Sequence, residues 1–254
     1  TNSHTKGTTY VPATLDNLSS ATKYKDSGKL VIQDGNLYVD ASKLSNDELA
    51  WANEIGITEA PVIYTKLEIP TTATSEETAV NGLYISNKQL MGKYTGTEKN
   101  IELPSGIESI GTAIFYGNQN IQNVIVPDSV LTTGLGVFGN CTNLKKVEFK
   151  GNLSGINTGL FEDCINLKEV VLPDGIESIN QDAFKGCISL ESLTLPDSVL
   201  WIYPKGEEGA FVGCDNLVLT ITETSVNNLK TNSYLTYYAN VNTAEDLRDL
   251  LGVK

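Results

Sequence analysis

Histidine is nearly missing: His4 is the only one in 254 residues. A nucleophilic triad needs a base that titrates near neutral pH, usually histidine. Ser/His and Cys/His catalysis, and histidine-based metal sites, are therefore all but excluded. No G-x-S-x-G, G-x-x-x-x-G-K-[ST] or H-E-x-x-H string occurs, and no C-x-x-C pair. Nothing in the sequence calls for a cofactor or a metal. Basic residues are scarce as well: 18 Lys and Arg stand against 31 Asp and Glu, a net charge of −13. Such a surface repels nucleic-acid phosphates and anionic lipid headgroups, and no Lys/Arg cluster offsets it. No apolar run approaches the ~20 residues that a membrane span needs.

What remains for chemistry is carboxylate. Asp and Glu are plentiful, and a pair of them could hydrolyse glycosides, so a glycan-active enzyme stands as one alternative. A solvated face accounts for most of these residues. The opening stretch, residues 1–28, is rich in Thr, Ser and Asn and poor in apolar residues. It lacks the basic and apolar regions of a signal peptide and is read as a flexible tether.

What the sequence does have is a beat. Phe115, Phe138, Phe161 and Phe184 are spaced by 23 residues, and Phe211 follows after 27 because Pro204–Gly209 carries an insertion. Cys141, Cys164, Cys187 and Cys214 keep the same phase, with Asn118 in the matching place of the first unit. Pro104, Pro127, Pro173 and Pro196 share a 23-residue grid on which Lys150 fills one slot. A period of this length means stacked supersecondary units, because no single unit can bury its own apolar edge. Within a unit, Leu190–Leu195 alternates like a strand and ends at Pro196, while the segment around Phe184 is one helical turn closed by Gly186.

The stretch Ala183-Phe184-Lys185-Gly186-Cys187-Ile188-Ser189-Leu190, repeated at Ala210–Leu217, resembles the hallmark of BspA-like leucine-rich repeats of bacterial surface proteins. The resemblance covers 100–222. It implies a leucine-rich-repeat solenoid, an α/β-type superhelix with a short parallel β-sheet on one face and single helical or 3-10 turns on the other. It supplies no catalytic residues.

In such a stack the cysteines form a column of buried rungs. Parallel strands lie ~4.8 Å apart. A disulfide needs Cβ atoms ~3.8 Å apart on converging vectors, and a straight row cannot surround zinc tetrahedrally. Free core thiols are the expected state, with a bridge or a metal ligand as the rarer alternative.

The ends differ from the middle. Residues 29–99 read as an N-terminal cap with an early coil at 64–70, where Leu67-Glu68-Ile69-Pro70 resembles Ile101-Glu102-Leu103-Pro104. Asp34-Gly35 marks a hairpin over 29–39. Ser45, Glu48 and Gly56 bound a helix over 45–56. A second hairpin, Gly82–Ser86 with Gln89–Tyr94, turns at Asn87-Lys88. Residues 223–254 read as a C-terminal helical cap. Its helix over 243–252 has Thr243 as N-cap, Leu247, Leu250 and Leu251 on one face, and Gly252 as terminator.

Strand alternation then names a candidate surface. With Leu144, Val147 and Phe149 inward, the outward columns are Asn123/Lys146/Glu169/Ser192 and Ile125/Glu148/Val171/Thr194. This mixed strip suits a protein or glycan partner, or is simply a wet sheet, since fold alone does not give function. Trp201 stands where the previous unit has polar Ser178. With Tyr203 beside it, it is either a binding hot spot or a residue covered by the C-terminal segment. The expectation is a non-enzymatic, secreted or cell-surface adhesion module, monomeric, that binds a protein or host extracellular-matrix ligand. A spacer domain without a ligand is the further alternative.

Overall fold

The computed structural model describes residues 30–33, 36–39, 45, 50, 62–232, 238 and 240–254. The chain divides into two units, Thr1–Ile63 and Tyr64–Lys254. In the first, Leu30–Gln33 pairs antiparallel with Asn36–Val39, Gln33 opposite Asn36. This is the two-residue hairpin that Asp34-Gly35 predicts. The tether over 1–28, with His4, and the helix read over 45–56, apart from Ser45 and Ala50, lie outside the described residues.

The second unit is a solenoid. Strands Thr65–Lys66, Asn100–Glu102, Asn123–Val126, Lys146–Phe149 and Glu169–Val171 follow one another in a five-stranded parallel sheet. Ser192–Thr194 and Val218–Thr220 form a parallel pair of their own. Register follows the sequence beat: Lys146 lies beside Asn123 and Glu169, and Glu148 beside Ile125 and Val171. Alternate residues point to opposite faces. Val124, Val126, Val147 and Phe149 are thus buried while their neighbours face outward.

One register departs from expectation. Thr65, not Leu67, lies beside Ile101, and the Leu67 amide donates to the Glu102 carbonyl. The slip is two residues. Because the side-chain period is also two, it keeps the same residues inward, and Leu67 is buried.

A second ladder runs along another side of the solenoid. The hairpin Leu83–Ser86 with Gln89–Gly92 starts it, and Ser109–Ile110 and Thr132–Thr133 follow in parallel. Asn87 and Lys88 have φ of 49° and 61°, the two left-handed residues of a type I′ turn. Gly155–Ile156, Ser178–Ile179 and Trp201–Ile202 continue it as a separate parallel trio.

The third side is built of single turns. The Asn118 amide donates to Phe115, Cys141 to Phe138, Cys164 to Phe161, Cys187 to Phe184 and Cys214 to Phe211. These bonds span three residues, the 3-10 pattern. Each turn ends on a left-handed residue: Gly117, Asn140, Asp163, Gly186 and Gly213 have φ from 56° to 79°. Only Gly, Asn and Asp visit that region routinely, which is why those three types alternate in one column. Turns on adjacent coils are tied by backbone bonds, Phe115 to Val137, Phe138 to Leu160, Phe161 to Ala183 and Phe184 to Ala210.

The chain ends on two helices, α1 (Glu223–Asn232) and α2 (Ala244–Leu251). Thr243 and Asp246 form a reciprocal capping box on α2, and Gly252 closes it at φ 74°. Val226, Leu229, Leu247 and Leu251 join the same buried cluster as the repeats. The edge of strand Val218–Thr220 is paired by Lys254, beyond α2, for Leu219 donates to the Lys254 carbonyl and Lys254 to that of Leu217.

Candidate functional site: the outward sheet face

Stacked coils place like residues in columns, and the inner columns come first because they hold the face flat. The rings of Phe115, Phe138, Phe161, Phe184 and Phe211 are parallel-stacked with centroids 5.2–5.7 Å apart. Tyr94 extends the stack at 5.3 Å from Phe115, tilted by 59°. Offset aromatic pairs at such distances attract beyond their burial.

Cys141, Cys164, Cys187 and Cys214 are free and buried. Each thiol donates to the phenylalanine carbonyl of the preceding coil: Cys141 to Phe115 at 3.0 Å, Cys164 to Phe138 and Cys187 to Phe161 at 3.1 Å, Cys214 to Phe184 at 3.0 Å. The sequence places these thiols as buried rungs of a column but does not give them a donor role. The missed signal is their constant distance of three residues from Phe, which places the sulfur beneath the neighbouring carbonyl. Burial pushes the Cys141 and Cys214 thiols up to about 12 and those of Cys164 and Cys187 well above the usual range. Reactive cysteines need the reverse, a stabilised thiolate.

The outward columns are assembled as the alternation predicts. Asn123 donates to the Asn100 side chain at 2.7 Å, and Lys146 pairs with Glu169 at 2.7 Å. Glu148 pairs with Lys150. The Lys146 ammonium is raised above its ordinary pKa chiefly by its bond to Glu169. Tyr64 is raised above its ordinary pKa chiefly by burial, with smaller effects from the charges of Lys146, Glu148, Glu169 and Lys150. The face is accordingly graded: Asn123, Ile125, Lys146 and Glu148 are half-buried, whereas Glu169, Val171, Ser192 and Thr194 are exposed. Val171 is 39% and Val218 50% exposed, two apolar side chains offered to solvent.

A cleft of about 280 Å³ opens on the exposed half. Glu169, Val171, Ser192 and Thr194 line it, joined by Asp174 and Pro196. Four of the ten candidate residues thus meet at one depression, while Asn123, Ile125, Lys146 and Glu148 lie on the covered part.

Trp201 and Tyr203 belong to a different place. They sit on the second ladder, half-buried, and Trp201 packs edge-on against Tyr203 and Tyr238, each at 5.9 Å. Tyr238 is fully buried, and its hydroxyl takes the Ile202 amide at 2.8 Å and donates to the Ile202 carbonyl. The structure therefore sets the C-terminal segment against this pair and separates the pair from the sheet face.

Among the described residues no group of three or more His, Cys, Asp and Glu is placed to hold a metal ion. No helix among them is long and apolar enough to cross a membrane.

This geometry, with a 23-residue coil, a parallel sheet on one side and single turns on another, defines a leucine-rich-repeat solenoid. The match is to the BspA type leucine rich repeat region, in six copies, over residues 93–218 and 156–249. The chain belongs to that family. No curated protein matches it. Among solved structures it is similar to a leucine rich cell surface protein of Faecalibacterium prausnitzii, with a TM-score of 0.51, 31% identity, and coverage of 60% of this chain and 41% of that one. It is also similar to a leucine rich repeat protein of Treponema pallidum, with a TM-score of 0.51, 25% identity, and coverage of 65% and 79%. The matched region thus spans well under half of the Faecalibacterium protein.

Proposed function

We propose that the chain is a non-enzymatic extracellular binding module that presents the outward face of its parallel sheet to a protein or host-matrix ligand. The observation that carries this reading is the exposed half of that face. Glu169, Val171, Ser192 and Thr194 line one cleft, and apolar Val171 and Val218 stand in water there. Exposed apolar side chains among polar ones are the composition of a protein-binding patch. The similarity to a cell surface protein supports an extracellular placement. The acidic surface favours partners that are neutral or basic where they touch.

The test is a capture assay of the full chain against purified matrix proteins and immobilised glycans. The triple substitution Glu169→Ala, Val171→Ala, Thr194→Ala is expected to weaken capture at least ~tenfold, about 1.4 kcal/mol. Its melting temperature should stay within a few degrees of the parent's, because all three side chains are exposed and the surface pair lost with Glu169 contributes ~0–1 kcal/mol. Capture unaffected by the triple change would assign the face a spacer role. Glycan cleavage that survives it, but is lost with another carboxylate, would establish the enzyme.

A further inference from the structure

The main sheet is not continuous. No ladder joins Glu169–Val171 to Ser192–Thr194, although the strands on either side of this junction are fully paired. The repeat shows what is missing. On the sheet side, Lys145 and Lys146 donate to the Gln122 carbonyl, Lys168 and Glu169 to that of Lys145, and Val218 to that of Glu191. The corresponding step, from Glu191 and Ser192 to Lys168, does not form. The other two sides of the same junction hold: Phe161 donates to Ala183, Asp163 to Lys185, and Gly155–Ile156 pairs with Ser178–Ile179. The opening is therefore one-sided, a crack on the sheet face with an intact back.

The sequence marks the spot. Five residues after the column phenylalanines stand Asn120, Asn143, Asn166, Ser189 and Asn216; on the first coil Asn120 makes no clamp bond, and the Gln122 and Asn123 amides tie that strand to Lys99. Asn143 donates through Nδ2 to the Gln119 carbonyl at 2.7 Å, Asn166 to Thr142 at 2.8 Å, and Asn216 to Ile188 at 3.5 Å. These three side chains clamp the entry of their own strands to the coil before. Ser189 replaces the clamp at the open junction. Its hydroxyl is one atom short of the reach that the amide has, and no bond to the Ile165 carbonyl forms. The inner columns respond at the same step. Phe161 and Phe184 cross at 23°, while the other stacked phenylalanine pairs cross at 5–12°. Leu172 is only half-buried, yet its counterparts Val126 and Leu195 are 1% exposed. The cleft lies in this gap.

The structure assigns Ser189 as the residue that opens the sheet, and the junction between the Phe161 and Phe184 coils as a built-in joint of the solenoid. Movement there changes the spacing between Glu169/Val171 and Ser192/Thr194 while the turns behind act as the hinge. The inference stands whether or not that face binds a ligand.

Alternation fixes which amides are left without a strand partner. Leu103 donates forward to Ile125, and Lys150 donates back to Val126. By the same phase, Val170 and Leu172 face the gap from one side and Ser192 and Thr194 from the other. Amide hydrogen exchange followed by NMR on the full chain tests this directly. In the parent protein these four amides should exchange at least ~tenfold faster than those of Val147 and Glu148. In Ser189→Asn they should slow by at least about tenfold, while Ser189→Ala leaves them as they are. Parent amides as well protected as Val147 would overturn the joint. Fast parent amides that Ser189→Asn, folded by its spectrum, fails to slow would overturn the role of Ser189. If Ser189→Asn does not fold, the comparison within the parent decides the joint, and Ser189→Gln, whose amide can also donate to the Ile165 carbonyl, decides the clamp.

Discussion

The carbonyls of Phe115, Phe138, Phe161 and Phe184 each hold two donors: the amide three residues on and the thiol of the next coil. A carbonyl has two lone pairs, and both are filled inside an apolar core. Cysteine suits this place because it is small, buries well and still carries a weak donor. Removing Phe161 leaves a ring-sized hole between Phe138 and Phe184, and Phe161→Ala should cost ~3–5 kcal/mol by chemical denaturation. An unchanged unfolding midpoint would contradict the stack. The thiols also set a pH dependence. Thiols in the unfolded chain ionise near ~8.5. Below that pH both states keep their protons and the contribution is whole. Above it only the unfolded chain releases them, so stability falls with rising pH until the native Cys141 and Cys214 titrate at about 12. The slope should reach ~1.4 kcal/mol per pH unit for each thiol. Urea midpoints between pH ~8 and ~10 check it, and Cys214→Ala should make the decline shallower.

At the scale of elements, both ladders end on a protected edge. Open strand edges invite pairing with other chains. Lys254 pairs with the outer edge of Val218–Thr220, and the Tyr238 hydroxyl serves both polar groups of Ile202 on the second ladder. Tyr238→Phe keeps the ring and leaves a buried amide and carbonyl without their partner. It should cost ~1–3 kcal/mol, read as a lower melting temperature. Much here is legible in the sequence. Asn87-Lys88 announces its hairpin, and Thr243 with Gly252 brackets α2. The helix α1 is not legible, because Glu223–Asn232 has only Val226 and Leu229 to bury and no apolar stripe of helical length. What holds it is tertiary: Thr222 and Ser225 both donate to Asp197, and Asn228 donates to the Asp197 carbonyl. Those bonds join residues 25–31 apart, which no local pattern reveals. Likewise the outward columns can be read from alternation, but their gradient of exposure cannot, since it depends on where the gap between Glu169–Val171 and Ser192–Thr194 falls.

For the molecule as a whole, the repeat fixes where side chains point and says little about what they meet. The columns of the sheet face come straight from the 23-residue period. The division of that face into a covered half and an exposed half does not, and the proposed binding role rests on the exposed half.

Two sets of side-chain bonds between coils, the thiols and the clamp asparagines, run one way. Every thiol reaches back to the coil before it, every clamp asparagine does the same, and nothing in a middle coil refers to its distance from either end. An extra 23-residue copy spliced in phase between Phe138 and Phe161 would find acceptors waiting below and donors arriving from above. Length is then a variable of this architecture, adjustable by whole-unit duplication between coils.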